Sequence, residues 1–194
     1  MQTAYTKPIS KSFDNVMTLQ AAKDHLRILD DAQDTMVEAC KKAAIAWAET
    51  RTERVFTESV YQIRIVPEDF TLVLPFPDFV EITKLESITG STTATLYNKT
   101  GPVGILADYL TVDSWPNPAE VTVLMDQLSD VDYLVITASF GMGESIPEDI
   151  TAAIKLLLGH FFSNPNEVVT GTIATQVPMG AEVILAMNAY KRFG

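Results

Sequence analysis

Residues 146–169, IPEDITAAIKLLLGHFFSNPNEVV, decide the architecture. Pro147 suits the first helical position, where no N–H is needed, and Glu148 and Asp149 follow in the turn where the helix dipole favours negative charge. Ile150, Ile154, Leu157, Leu158, Phe161 and Phe162 then recur at three- and four-residue steps, which lines one face of a helix with bulky apolar groups. Asn164 and Pro165 stop it. A helix this apolar must close a core begun elsewhere, and the only comparable helical material lies before residue 55.

Working outward, Thr18 is suited to N-cap a short helix to about Ile28, with Leu19, Ala22 and Leu26 on one side. Asp30 or Asp31 then caps a helix over residues 32–52. Its Met36, Cys40, Ala43 and Trp47 fall on one face, while Lys41, Lys42 and Glu49 face away. The first sixteen residues are polar and unpatterned, and read as an arm that stays mobile unless a partner orders it.

From Val55 the period changes to two. Residues 60–66, 70–74, 80–88, 93–97, 109–112, 121–125 and 133–140 are short runs rich in Val, Ile, Thr, Tyr and Phe, separated by turn formers such as PFPD, NKTGPVG and DSWPNP. Seven strands with no helical pattern among them predict an antiparallel sandwich or barrel-like domain over residues 55–143, inserted into a helical bundle of residues 17–54 and 144–168. The fold class is α+β. Residues 169–194 complete the chain as a loop and an extended C-terminal tail; its last piece is compatible with a short helix carrying Val183, Ile184, Met187 and Tyr190 on one face, and it contributes little to a core.

Composition narrows the function classes. The 194 residues are 47% hydrophobic, enough for one core or a domain plus an insertion. No apolar run approaches the roughly 20 residues that span a bilayer, the opening residues lack the apolar stretch of a signal peptide, and no membrane partner is expected. A single cysteine, Cys40, excludes an internal disulfide and, on the apolar face of its helix, reads as a buried inert thiol. The net charge of −11 argues against a surface that grips nucleic acid by its phosphates. Residues 55–140 hold twelve acids against three bases, while residues 1–54 balance eight against eight.

No catalytic constellation, metal site or cofactor site emerges. His25 and His160 sit in different helices without matching ligands nearby in sequence. Gly141-Met142-Gly143 lacks the third glycine and the βαβ setting of a dinucleotide loop, and Glu148 and Asp149 would repel a phosphate there. Asp130 and Asp132 read as a solvated turn, and Asn98-Lys99-Thr100 as a chance glycosylation match. Trp115 reads as packing beneath a loop, or, with Tyr109, as a stacking group for a sugar in a carbohydrate-binding β module. A hydrolase with a carboxylate pair set only by three-dimensional separation is a further alternative.

A family resemblance goes further. MTLQAAKDHLR at residues 17–27, followed by Asp31, Asp34 and the Ala-rich helix with Trp47 and Glu49, resembles the opening of head-tail connector (adaptor) proteins of tailed bacteriophages and phage-like particles. Residues 146–150, IPEDI, leading through Gly159-His160-Phe161 to Asn164, Glu167 and Val168, resemble that family's second helical block. The intervening strands are similar to larger members with a β insertion. The resemblance implies a virion protein of the head-tail neck, made in the host cytoplasm, forming a ring of about twelve copies that docks on the portal protein and extends the DNA channel. It implies as partners the portal, a stopper or tail-completion protein, and further copies of itself, with genomic DNA passing without sequence-specific binding. A stopper or tail-completion role is the alternative within virions. Portal-docking candidates are Met179, Ile184, Met187, Tyr190, Lys191, Arg192 and Phe193; ring-interface candidates are His25, Arg27, Lys41, Glu49 and Arg51.

Overall fold

The structure is a computed structural model that describes residues 5–66, 71–101, 104–114, 118–124, 128, 131–164 and 177–190. Two compact units divide the chain, one made of Met1–Lys11 with Glu58–Gly141 and the other of Ser12–Thr57 with Met142–Gly194.

Among its described residues the first unit is built mainly of strands, with one short 3-10 turn at Leu106–Asp108. Its strands are β1 (Tyr5–Ser12, whose last residue falls to the other unit), β2 (Glu58–Ile65), β3 (Thr71–Val73), β4 (Phe79–Thr89), β5 (Thr92–Asn98), β6 (Leu110–Asp113), β7 (Glu120–Val123) and β8 (Tyr133–Phe140). They form a five-stranded sheet in the order β1-β2-β8-β4-β5 and a three-stranded sheet in the order β3-β7-β6. β8 is central, antiparallel to β2 on one side and β4 on the other. Its alternation explains why it sits there: Leu134, Ile136, Ala138 and Phe140 are buried, and the residues between them are half-exposed. β4 and β5 are joined through Gly90, whose φ of 58° is the left-handed geometry that a two-residue hairpin turn requires. Asp132 ties this turn down, its Oδ2 accepting the Gly90 N–H at 2.6 Å. Gly104 admits no side chain, because a Cβ there would lie 2.1 Å from the Leu96 carbonyl oxygen.

The seven strands expected after residue 55 are thus present, as two antiparallel sheets. The reading of the first sixteen residues as an unpatterned arm is corrected, since Tyr5–Ser12 is the end strand of the larger sheet. All eight of its residues are exposed, so neither face carries the alternation that would have marked it in the sequence.

The second unit is helical: α1 (Leu19–Leu26), α2 (Asp34–Thr52), α3 (Glu148–Ser163) and α4 (Met179–Met187). Thr18 caps α1, its hydroxyl accepting the Ala21 N–H at 3.2 Å, and Arg27 ends it in the left-handed conformation. Gln33, without a side-chain cap bond, precedes α2; Asp30 instead accepts the Ala32 N–H in the turn before, and Asp31 is paired with Lys23. Pro147 stands one place earlier than expected, at the N-cap of α3. Asn164 closes α3 through its side-chain and backbone N–H groups, both donating to the His160 carbonyl.

The apolar stripe of α3 is the centre of this unit. Ile150, Ala153, Ile154, Leu157, Leu158 and Phe161 are buried against Val37, Cys40, Ala44, Ile45 and Ala48 of α2 and Ala22 of α1. Each large side chain in that stripe contributes about 1.5–3 kcal/mol through removal from water. The α2 face differs from the expected one. Met36, Ala43 and Trp47 lie at its margin, whereas Lys41 and Glu49, expected to face away, are buried.

Candidate functional site

α4 presents two faces of different character. Pro178 stands at its N-cap, with its carbonyl accepting the Ala181 and Glu182 N–H groups. Ala181 and Leu185, four residues apart, are fully buried in the helical core with Ile184 packed beside them. The opposite stripe, Met179, Val183 and Met187, also recurs every four residues, and these are 79%, 53% and 77% exposed. The helix is held at both ends. Arg51 at the end of α2 faces Glu182 at 3.5 Å, an exposed pair worth little by itself. Asn188 donates to the Asp149 carboxylate at 2.8 Å and to the Ile184 carbonyl at 2.9 Å, and the Tyr190 N–H donates to the Thr52 carbonyl at 2.7 Å.

The expectation that this segment adds little to a core is therefore corrected: it fills the core with Ala181 and Leu185. The face singled out from the sequence was also shifted. Because seven of the nine α4 residues are apolar, periodicity alone did not reveal which stripe points inward. Of the portal-docking candidates, Met179 and Met187 are at the surface, while Ile184 and Tyr190 are half-buried. Lys191, Arg192 and Phe193 lie outside the described residues, as do Trp115 and Asp130.

The ring-interface candidates separate into two groups. His25 and Arg27 are exposed at the end of α1, and Arg51 at the end of α2. Lys41 and Glu49 are spent inside the unit and are not available at its surface. The Lys41 ammonium, with no side-chain exposure, meets Asp14 at 2.7 Å and Glu38 at 2.8 Å. Burial pulls its pKa down, but the hydrogen bonds to Asp14 and Glu38 outweigh that and hold it above the usual lysine value. Asp14 in turn is held below the usual carboxylate range by its hydrogen bond from Lys41 and by that charge. Glu49 Oε1 accepts the Phe56 N–H, the Thr57 N–H and the Thr57 hydroxyl at 2.9, 2.9 and 2.8 Å. It acts as a side-chain cap for the chain leaving α2. Lys23 likewise binds Asp31 at 2.5 Å and Asp34 at 2.7 Å, fastening the α1–α2 turn. The Glu38–Lys41 spacing of three residues was the sequence signal for one of these pairs.

Burial raises the pKa of Cys40, which leaves its thiol protonated and sheltered. Among the described residues no group of three or more His, Cys, Asp or Glu side chains is placed to hold a metal ion, and no helix is long and apolar enough to cross a membrane. What the unit offers is a helical frame with an apolar stripe on its outside.

Comparison with solved structures bears on that frame. A chain in the virion of a native gene transfer agent (GTA) particle superposes with a TM-score of 0.69 at 17% identity, over 96% of each chain. A chain in the neck of an empty GTA particle, computed with C6 symmetry, gives 0.68 at 16% identity over 97% of this chain and 96% of that one. One from the neck of the native particle, computed with C12 symmetry, gives 0.62 at 15%, with coverage of 97% and 96%. The chain shares its fold with these GTA particle chains. At these identities the likeness is one of fold, and it extends over both units, so the β unit belongs to the shared architecture. No protein-family model matches the chain, and no curated protein matches it.

Proposed function

We propose that the chain is a head-tail connector, a structural protein of the neck of a tailed phage or phage-like particle. It assembles as a ring of about twelve copies on the portal and extends the channel through which DNA passes. The observation that carries this reading is the likeness to GTA neck chains over nearly the whole length of both chains, in particles treated with sixfold and twelvefold symmetry. The role is architectural, not catalytic.

Two features fit the role physically. The excess of acid in residues 55–140, twelve against three, gives the DNA-facing part of a channel a surface that repels phosphates, so the duplex slides without sticking. The stripe of Met179, Val183 and Met187 is a docking surface for the portal, with two flexible thioethers that adapt to an apolar groove. Tyr190, Lys191, Arg192 and Phe193 extend that contact. Because the helix is anchored through Ala181 and Leu185, the surface is offered preformed, which lowers the ordering cost of binding.

Electron-microscope class averages of the purified protein with the portal ring of the same particle test the proposal. An added annular layer of countable subunits is the expected result. A portal unchanged at saturating protein overturns direct docking and moves the chain to a stopper position further along the neck.

A further inference from the structure

Residues 58–141 hold twelve acids and three bases, and among the described residues one of those bases, Arg64, meets no carboxylate. Lys84 binds Glu86 at 2.7 Å and Lys99 binds Glu81 at 2.5 Å. The exposed Arg64 guanidinium instead lies over the Tyr133 ring, 3.5 Å from its centre. That stack uses the flat face of the guanidinium and leaves the N–H donors around its edge without a protein acceptor among the described residues. Cross-strand packing accounts for where Arg64 sits. It does not account for a fixed set of unfilled donors in a unit so rich in acid.

Strand alternation places this pair. Ile63 and Ile65 are buried, so Arg64 between them stands on the outward face of the five-stranded sheet, in register with Val135 of β8. The three-stranded sheet has an outward face of its own. Val121 and Val123 of β7 are buried, and Glu120 and Thr122 alternate with them on the other side. Thr122 is in register with the exposed Thr71 of β3 and Thr111 of β6, and its hydroxyl lies 3.2 Å from that of Thr71. This row of short side chains lets a second surface approach closely, and beside it stands the half-exposed Glu120, whose carboxylate has no bonded partner among the described residues. Each sheet buries its apolar side within the one unit, so the two outward faces point apart and Arg64 cannot reach Glu120 of its own chain. The surplus of acid repels a polyanion such as duplex DNA, whereas a single carboxylate is what one guanidinium binds through two parallel N–H···O bonds.

We infer that Arg64, held in place by Tyr133, binds Glu120 of a second copy of this chain, joining the outward face of the larger sheet in one copy to that of the smaller sheet in the next. Two different patches meet, so the contact is head-to-tail, the type that closes into a ring when the rotation permits. The stack on Tyr133 presets the guanidinium and lowers the ordering cost of that contact. The inference rests on the ring reading above. It gives that ring an interface in the β unit, separate from the portal-docking stripe on α4.

The test uses the full chain with the portal ring of the same particle. Arg64→Glu and Glu120→Arg each set like charges against each other, and each is expected to require at least about tenfold more protein to build the annular layer. Mixed in equal amounts, the two variants should build it at wild-type concentration, because every contact in an alternating ring then joins opposite charges. The chain carrying both substitutions should assemble as well. In parallel, and independent of how the charge variants fold, a photoreactive benzophenone side chain at position 62, on the same face as Arg64, is cross-linked in a mixture of isotopically light and heavy chains. Light–heavy cross-links into residues 110–123 are expected. Single variants that assemble like the wild type, a loss that neither mixing nor the double substitution repairs, or cross-links confined to the same chain, the helical unit, the portal or added duplex DNA overturn the inference and leave the ring reading standing. A wild type that builds no layer overturns the ring reading and this contact with it.

Discussion

The Glu49 carboxylate accepts both the backbone N–H and the hydroxyl of Thr57, at 2.9 and 2.8 Å through the same Oε1, and so fixes the path of the chain as it leaves α2 for the β unit. Phe56, whose N–H also donates to that oxygen at 2.9 Å, is fully buried in the helical core. Removing the acceptor strands two backbone donors in a place with little access for water. Glu49→Ala is expected to lower unfolding stability by about 2–4 kcal/mol, and Glu49→Gln, which keeps an acceptor oxygen, by about 1 kcal/mol. Urea denaturation of the three proteins checks the order.

The Lys41 cluster predicts a pH window. Asp14 has a lowered folded pKa, so its contribution is present above the unfolded carboxylate value and is lost as pH falls through the lowered one. Lys41 has a raised folded pKa, so its contribution is fully present below the unfolded lysine value and is lost as pH rises through the raised one. The stability difference between wild type and Lys41→Met should therefore be flat from roughly pH 5 to pH 10 and should shrink on either side. Urea midpoints across that range measure it.

On α4 the two faces should respond oppositely. Met179→Asp with Met187→Asp changes exposed positions and should leave stability within about 0.5 kcal/mol while abolishing portal docking. Leu185→Ala, at a fully buried site, should cost about 2–4 kcal/mol. Thermal unfolding combined with portal pull-down separates them. Loss of stability in the methionine pair would contradict the assignment of faces.

Cys40 should be inert in the native state. Its thiol is fully buried and its pKa is pushed up by burial, so reaction with a thiol-specific disulfide reagent should be slow in buffer and rapid in denaturant. Burst labelling under native conditions would show that α2 opens locally.

Much of this was legible in the chain because burial leaves a period. α3 declared its inward face through Ile150, Ile154, Leu157 and Phe161, and β8 through the alternation of Leu134, Ile136, Ala138 and Phe140. β1 was not legible, since a strand exposed on both faces has no alternation to read. Nor were the interior roles of Lys41 and Glu49. A charged residue on a helix reads as solvated until its partners are known, and Asp14 and Thr57 come from segments outside that helix.

The amino-acid order by itself determined the elements after residue 16, the split between helical ends and a strand-rich middle, and the concentration of acid in that middle. These are local or additive properties, set by side-chain periodicity, turn chemistry and charge counts. Only the tertiary structure decided that Ala181 and Leu185, not Met187, turn inward, that Tyr5–Ser12 joins the sheet, and that two helical charges serve as buried fasteners. Each of those depends on which distant surface comes to lie opposite a residue, and burial and pairing are properties of two surfaces together.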